Sequence, residues 1–554
     1  MKKVVLFFLA VAYFITGISQ TRINVPDLLL PDHGGDYRIA IKTAIDMAVA
    51  NDIDTIYFPA GTYKVGYKAV GINTADDTCT ADLTGEKTQV RTAIRLCNIS
   101  KLLVFAGDGE TSIIELGAIS DRGDYHIFQL IASDSIRFLN ITLNGSGGFN
   151  NYHSDHRHLV SVHGCKNIAF ENVLFKNAKD DGIYLLGLSA IRKTKDVIIK
   201  GCNFISNGRS GVAFQRHIEG VSISRSEFSF TSDQDIDFEP SGLDERFVIR
   251  DVSIAFNKFT HINSTYSVTF SNGEDIRFNN NVMINGCINA RHLKHFLITN
   301  NQLITDNYDW TIAPRIYLAG DVINGQIISN IIDSTRNNSA IHFSHHNHKI
   351  ANHIQIVNNT IYGALWMGDV KNVLIEGNTI IGKKAVLGTI GINFETESAT
   401  AQKETIVVRN NTISNFGKGI QLAPKKSNYT SALIENNFFQ QIGDSCIYYA
   451  YSDSKERGRI LQTPKLLYNR YGTSSEFYKK IRGFTRYDSV VIYGYNGDLQ
   501  TPVYLGNTVP PNSLFAPANS LYIYYNPKVN IIPNPQYYLR CSGGIWRRAE
   551  LGCQ

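Results

Sequence analysis

VNNTIYGALWMGDVKNVLIEGNTIIG, residues 357–382, contains one phrase twice. An apolar strand runs into Asn, Thr and Ile and then bends at Gly, and Asn359 is answered by Asn378 only 19 residues later. The phrase recurs in both directions: FLNITL, FENVLF, AFNKF, FNNNVMI, ITNNQLI, ISNII, RNNTIS and ENNFF. The aligned column reads Asn140, Asn172, Asn257, Asn280, Asn301, Asn330, Asn359, Asn378, Asn411 and Asn437, with Cys202 and Ser226 filling two intervening turns. Repeats of roughly 20–45 residues mark stacked architectures. One short period-2 strand cannot bury its own apolar face, so turns must stack, about 4.8 Å apart. Asn tolerates the left-handed backbone of a bend, and a stacked amide hydrogen-bonds to the next one as a ladder. The pattern predicts an all-β parallel β-helix over residues 126–452. Variable spacing is expected, because insertions fall in loops on one side.

The stretch before the repeats fits a closed end. DYRIAIKTAIDMAVAN (36–51) places Ile39, Ile41, Ala44, Ile45 and Ala48 on one helical face, and DTIYFPAGTYKV follows as strand, turn and strand. An amphipathic helix can cover the open end of a solenoid. With YFPAGTYKV behind it, this helix resembles the N-terminal cap and first coil (20–125) of the pectate-lyase-like β-helix superfamily. The resemblance spans roughly residues 30–450 and implies a right-handed coil. It implies no single reaction, because that superfamily holds hydrolases, lyases, epimerases and phage tailspikes. The chain lacks the WxDH and RxPxxR of common pectate lyases and the DPHD of alginate epimerases. Of the polygalacturonase set it has only Asp180-Asp181-Gly182.

The chain has 554 residues, 43% of them hydrophobic, which is ample for a large core. Met1-Lys2-Lys3, the apolar run Val4–Ile15 and the small residues to Ser19 read as a secretory signal peptide over 1–19, too short for a membrane span. A secreted or periplasmic protein is expected, with no membrane span. The formal charge of +5 and the absence of basic runs give no argument for nucleic acid. Among eight cysteines, Cys541 with Cys553 and Cys79 with Cys97 are spaced to close short loops, while Cys165, Cys202 and Cys287 fall in strands as buried thiols. No C-x-x-C pair occurs, so no structural zinc site is expected. Fifteen of the 28 tyrosines lie between Tyr448 and Tyr538, where the Asn column is read as ending. A small Tyr-rich β-domain is expected over 465–554.

Adjacent turns locate the candidate chemistry. KDDGIYLLG (179–187), GRSGVAFQR (208–216) and SDQDIDFEPSG (232–242) align. Ile183, Val212, Ile236, Leu185, Phe214 and Phe238 point inward. Tyr184, Ala213 and Asp237 face out, as do Leu186, Gln215 and Glu239. Asp235, Asp237 and Glu239 are read as sharing one strand face, with Asp181 in the turn before. Crowded carboxylates raise at least one pKa, as a general acid requires. The first reading is a glycoside hydrolase with Asp181, Asp237 and Glu239 as catalytic candidates. Asp180, Arg209, Gln215, Arg216, Asp235 and His158 would bind the polysaccharide, over a groove left by Ser210, Gly211 and Ala213. No cofactor or metal is needed for that reaction. A lyase would use Arg209 or Arg216 as base, with Ca²⁺ in the acidic cluster. The third reading is a glycan-binding adhesin that grips without cutting. His342, His345, His346 and His348 read as an exposed loop.

Overall fold

The computed structural model describes residues 22–31, 34–66, 91–117, 125–145, 157–239, 249–260, 266–305, 315–334, 339–344, 351–368, 370–383, 388–395, 403–423, 429–449 and 465–471, and short strands between 481 and 549. The expected signal peptide, and Cys79, Cys541 and Cys553, lie outside these residues. The chain is a right-handed parallel β-helix, divided into a first unit to Ser232 and a second from Asp233.

In the first unit a helix over Arg38–Ala50 precedes the coils. Its buried face is Ala40, Ile41, Ala44, Ile45 and Ala48, whereas Ile39 is exposed. The helix starts two residues later than expected, and the i, i+3, i+4 stripe that packs begins at Ala40. Each coil then lays one strand in each of three parallel sheets. In the first sheet Lys166–Glu171 pairs with Thr194–Lys200, and that strand with Ile218–Ser224. In the second, Leu174–Lys176 pairs with Asn203–Ile205, and that strand with Glu227–Ser229. In the third, Tyr125–Ile131, Val160–His163, Ile183–Leu186 and Val212–Phe214 follow one another. The interior is filled by like side chains in file. Phe105, Phe138 and Phe170 stack at 5.1 Å, and Phe175, Phe204 and Phe228 at 4.8 and 4.6 Å. Each such ring contributes about 1.5–3 kcal/mol by leaving water.

The second unit repeats the plan. Gly273–Asn279, Leu293–Thr299, Ile323–Ile328 and Ala351–Val357 run on in the first sheet. The asparagine column proves to be two columns side by side. One residue in each bend takes the left-handed conformation: Phe256, Asn280, Asn300, Ser329, Asn358, Gly377, Asn410, Asn436 and Tyr468. The next residue is the buried rung: Asn257, Asn281, Asn301, Asn330, Asn359, Asn378, Asn411, Asn437 and Asn469. The rung is therefore Asn281, not Asn280. In the first unit Asn140 and Asn172 are likewise left-handed residues, and Ile141 and Val173 take the buried place. Each interior rung is fully satisfied. Asn359 Nδ2 donates to Asn378 Oδ1 at 2.9 Å and to the Ile327 carbonyl at 2.8 Å, while its own Oδ1 accepts from Asn330 N and Nδ2. An amide with two donors and an acceptor oxygen suits this place, which a hydroxyl cannot fill alone.

The column does not stop at Asn437. Asn437 Nδ2 donates to Asn469 Oδ1 at 3.0 Å, and Lys465–Leu467, Arg470–Tyr471 and Ile481–Arg482 form a further coil in parallel with the three sheets. These three strands, at the start of the stretch expected as a C-terminal domain, thus pair with the coil. There Tyr468 takes the left-handed place and Asn469 the buried one. Among the described residues, antiparallel pairing starts at Val490–Tyr493 with Val503–Gly506. Gln536–Arg540 then pairs antiparallel with both Leu521–Tyr524 and Trp546–Ala549.

Cys165, Cys202, Cys287 and Cys446 are buried free thiols, and burial pushes Cys165 and Cys202 up to about 12. Cys97 is disulfide-bonded. Among the described residues no helix is long and apolar enough to cross a membrane.

Candidate functional site

The sequence candidates fall in both units. Asp180, Asp181, His158, Arg209, Gln215 and Arg216 belong to the first. Asp235, Asp237 and Glu239 open the second.

In the first unit the inward and outward sides are as expected. Ile183 pairs with Val212 and Leu185 with Phe214, all fully buried. The outward side is covered nevertheless. Tyr184, Leu186 and Ala213 form an apolar cluster, and Ser210 and Gly211 are buried where an open groove was expected. Gln215 and Arg216 are half-buried.

Asp181 sits at the turn before the Ile183–Leu186 strand with no exposure at all. Arg209 donates to it through Nε to Oδ1 at 2.8 Å and Nη2 to Oδ2 at 2.6 Å. The Ser210 backbone N–H donates to Oδ1 at 3.1 Å, and His158 Nδ1 lies 2.9 Å from Oδ2. Burial works to raise this carboxyl, but Arg209 and His158 outweigh it and hold it well below the usual carboxylate range. His158 is buried between rings, 4.3 Å and nearly parallel over Tyr184 and 5.2 Å from His126. Asp180, next to it, accepts from the Arg157 backbone N–H at 2.7 Å. Burial raises its pKa against the pull of His158 and that N–H. Arg209 is thus a partner of Asp181, bonded through its fork, and Asp181 is a closed ion pair.

The second unit separates its three acids. Asp235 is fully buried and takes a bond from the Ser267 hydroxyl. Asp237, in the middle of Ile236–Phe238, and Glu239 just beyond are half-buried. Asp237 is in register with Thr269, and Thr269 with Asn289. Both are more than nine-tenths buried, and Thr269 Oγ1 and Asn289 Oδ1 have no hydrogen-bond partner. Sequence reasoning missed this pair. Its signal was a polar residue at the outward position of VTF and INA, in line with Asp237.

No family model matches the chain, and no curated protein matches it. Solved structures do. Tailspike protein 3 of bacteriophage CBA120 is 11% identical, with 95% of this chain and 68% of that one covered at a TM-score of 0.42. The tailspike of E. coli bacteriophage HK620, in complex with a pentasaccharide, is 13% identical over 94% and 84% at 0.42. PfbA, a surface adhesin of Streptococcus pneumoniae, is 15% identical over 78% and 96% at 0.39.

Among the described residues the metal-type donors that converge within 4.8 Å are Glu274, Asp275 and His295, away from the acidic cluster expected to hold Ca²⁺. Arg250 Nε already donates to Glu274 at 2.8 Å. Of the histidine run, His342 stacks on Trp366, and His345, His346 and His348 lie outside the described residues.

Proposed function

We propose that the protein is an exported glycoside hydrolase acting on a polysaccharide, with Asp237 and Glu239 as its acid–base pair. The observation that carries this is the file Asp237, Thr269 and Asn289. It sets a carboxylate beside two buried polar atoms without partners. Each such atom costs about 1–3 kcal/mol until something bonds it, and a sugar brings hydroxyls that both donate and accept. Positions i and i+2 on extended backbone lie about 6.6 Å apart. Alternation along that backbone sets the two carboxyl groups toward one side of the chain, as an acid–base pair requires. Asp181, closed by Arg209 and His158, serves as a positioning residue of its own unit. A lyase using Arg209 as base fits poorly with a guanidinium bonded through its fork. A bonded Cys97 agrees with an oxidising compartment.

The test is digestion of a panel of neutral, uronic and sulfated polysaccharides, with and without EDTA. Reducing ends and ultraviolet absorbance are read together. New reducing ends without absorbance are expected, unaffected by EDTA. Asp237→Asn and Glu239→Gln should each lower the rate at least about 100-fold while binding persists. Absorbance that EDTA abolishes would instead mean a lyase, and binding without new ends a gripping protein.

A further inference from the structure

We infer that the outward face of the third sheet in the second unit is a rail that binds an uncharged glycan lengthwise. This rests on the reading of the protein as glycan-active and adds its substrate class. The file begun by Asp237, Thr269 and Asn289 continues, one residue per coil, through Tyr317, His342, Trp366, Asn393, Gln421 and Tyr448. At about 4.8 Å per coil, Tyr317 to Tyr448 spans roughly 24 Å, the reach of an oligosaccharide and not of one sugar.

The chemistry of the file is specific. Its rings form a continuous surface: Tyr317 and His342 are 5.4 Å apart, and His342 and Trp366 are 5.5 Å apart and within 18° of parallel. These rings and Tyr448 are half-buried. Such rings offer apolar faces to the C–H sides of sugars. The amides come between them. Gln421 Nε2 donates to Asn393 Oδ1 at 3.2 Å, which orients both side chains. Orphaned Thr269 Oγ1 and Asn289 Oδ1 extend the polar run at the other end.

Charge decides the class of glycan. None of the six residues from Tyr317 to Tyr448 is Asp, Glu, Lys or Arg. The file starts at Asp237 and continues in register beyond Tyr448 to Arg482, and between them Lys418 and Glu395 are engaged along the file itself. Lys418 Nζ donates to Gln421 Oε1 at 3.3 Å and lies 3.6 Å over the Tyr448 ring, and Glu395 accepts from Asn393 Nδ2 at 3.3 Å. Among the described residues from Tyr317 to Tyr448, a uronate or sulfate on every sugar would meet no row of cations, whereas hydroxyls and acetamido groups would meet the half-buried rings and, between them, the more deeply buried amides of Asn393 and Gln421.

The experiment is native affinity electrophoresis of the full chain. The gels contain mixed-linkage β-glucan, galactomannan or glycogen, and in parallel alginate, polygalacturonate or chondroitin sulfate. Retardation is expected in at least one neutral gel and in none of the anionic ones. Trp366→Ala and Tyr317→Ala should each weaken it at least ten-fold. Trp366→Phe, which keeps a ring, should retain part of it and guards against simple misfolding. Retardation confined to anionic gels, none in any neutral gel, or alanine variants that bind like the parent would overturn the rail. Retardation without release of reducing ends would overturn the hydrolase reading and leave the rail standing.

Discussion

Arg209 holds Asp181 through two bonds at once, although 28 residues of chain separate them. The carboxylate has no exposure, so its charge depends on that fork and on His158. Removing one partner of a buried pair strands the other in a medium that solvates it poorly.

Arg209→Ala should therefore destabilise the protein by about 3–5 kcal/mol, and Arg209→Lys by less, since an ammonium keeps the charge but loses the fork. Urea denaturation followed by circular dichroism gives both values. A loss in the alanine variant within experimental error of zero would remove the ion pair from the account of this unit.

The acid limb carries opposite signs at adjacent residues. Asp181 titrates below its ordinary value of about 3.9. Its contribution is complete above that value and is lost as pH falls further, because the unfolded chain takes a proton that the folded chain refuses. Asp180 titrates above its ordinary value, so its contribution is present at low pH and is lost as pH rises through the raised value. Asp181→Asn should flatten the fall in stability below about pH 4. Asp180→Asn should gain stability at pH 7 relative to its parent, with the gain shrinking toward pH 4. Denaturation midpoints between pH 2.5 and 7 read both.

Neighbouring asparagines should respond unequally. Asn359→Ala deprives Asn330 of its acceptor and frees the Ile327 carbonyl, costing about 1–3 kcal/mol for each group left unpaired. Asn358→Ala meets only the left-handed backbone penalty at φ 55°, about 1–2 kcal/mol. Equal losses in the two variants would contradict the assignment of rung and bend.

The four buried thiols should stay silent. Burial pushes Cys165 and Cys202 up to about 12 and Cys287 to about 11, leaving almost no thiolate at neutral pH. Peptide mapping after brief exposure to a maleimide should find Cys165, Cys202, Cys287 and Cys446 unlabelled in native protein and labelled in guanidinium.

The coil was legible because its signal is repeated. Apolar alternation placed Ile183, Leu185, Val212 and Phe214 inside, and they are inside. The asparagine column was read one residue off in places, since NN pairs such as Asn280-Asn281 leave the two roles indistinguishable in text. Asn469 lay past the point where the column was read as ending, and the geometry persists through it. The site was less legible. Alternation says which side of a strand a residue faces but not whether that side is wet, so Tyr184 and Ala213 face outward and are still covered. Nor does spacing reveal a partner from another coil, as Arg209 is for Asp181. Thr269 and Asn289 stand out only when burial and hydrogen bonding are known together.

The ladder also bears on how such a chain changes length. Every interior rung of the second unit offers the same donors to the rung after it and the same acceptor to the rung before. Asn330 could be exchanged for Asn359 with no bond redrawn. Deleting residues 330–358 would bring Asn359 against Asn301 in the place Asn330 had held. Coil number is thus a nearly free variable for heredity, and the reach of whatever lies along the outer face can be lengthened or trimmed in whole steps without inventing a new core.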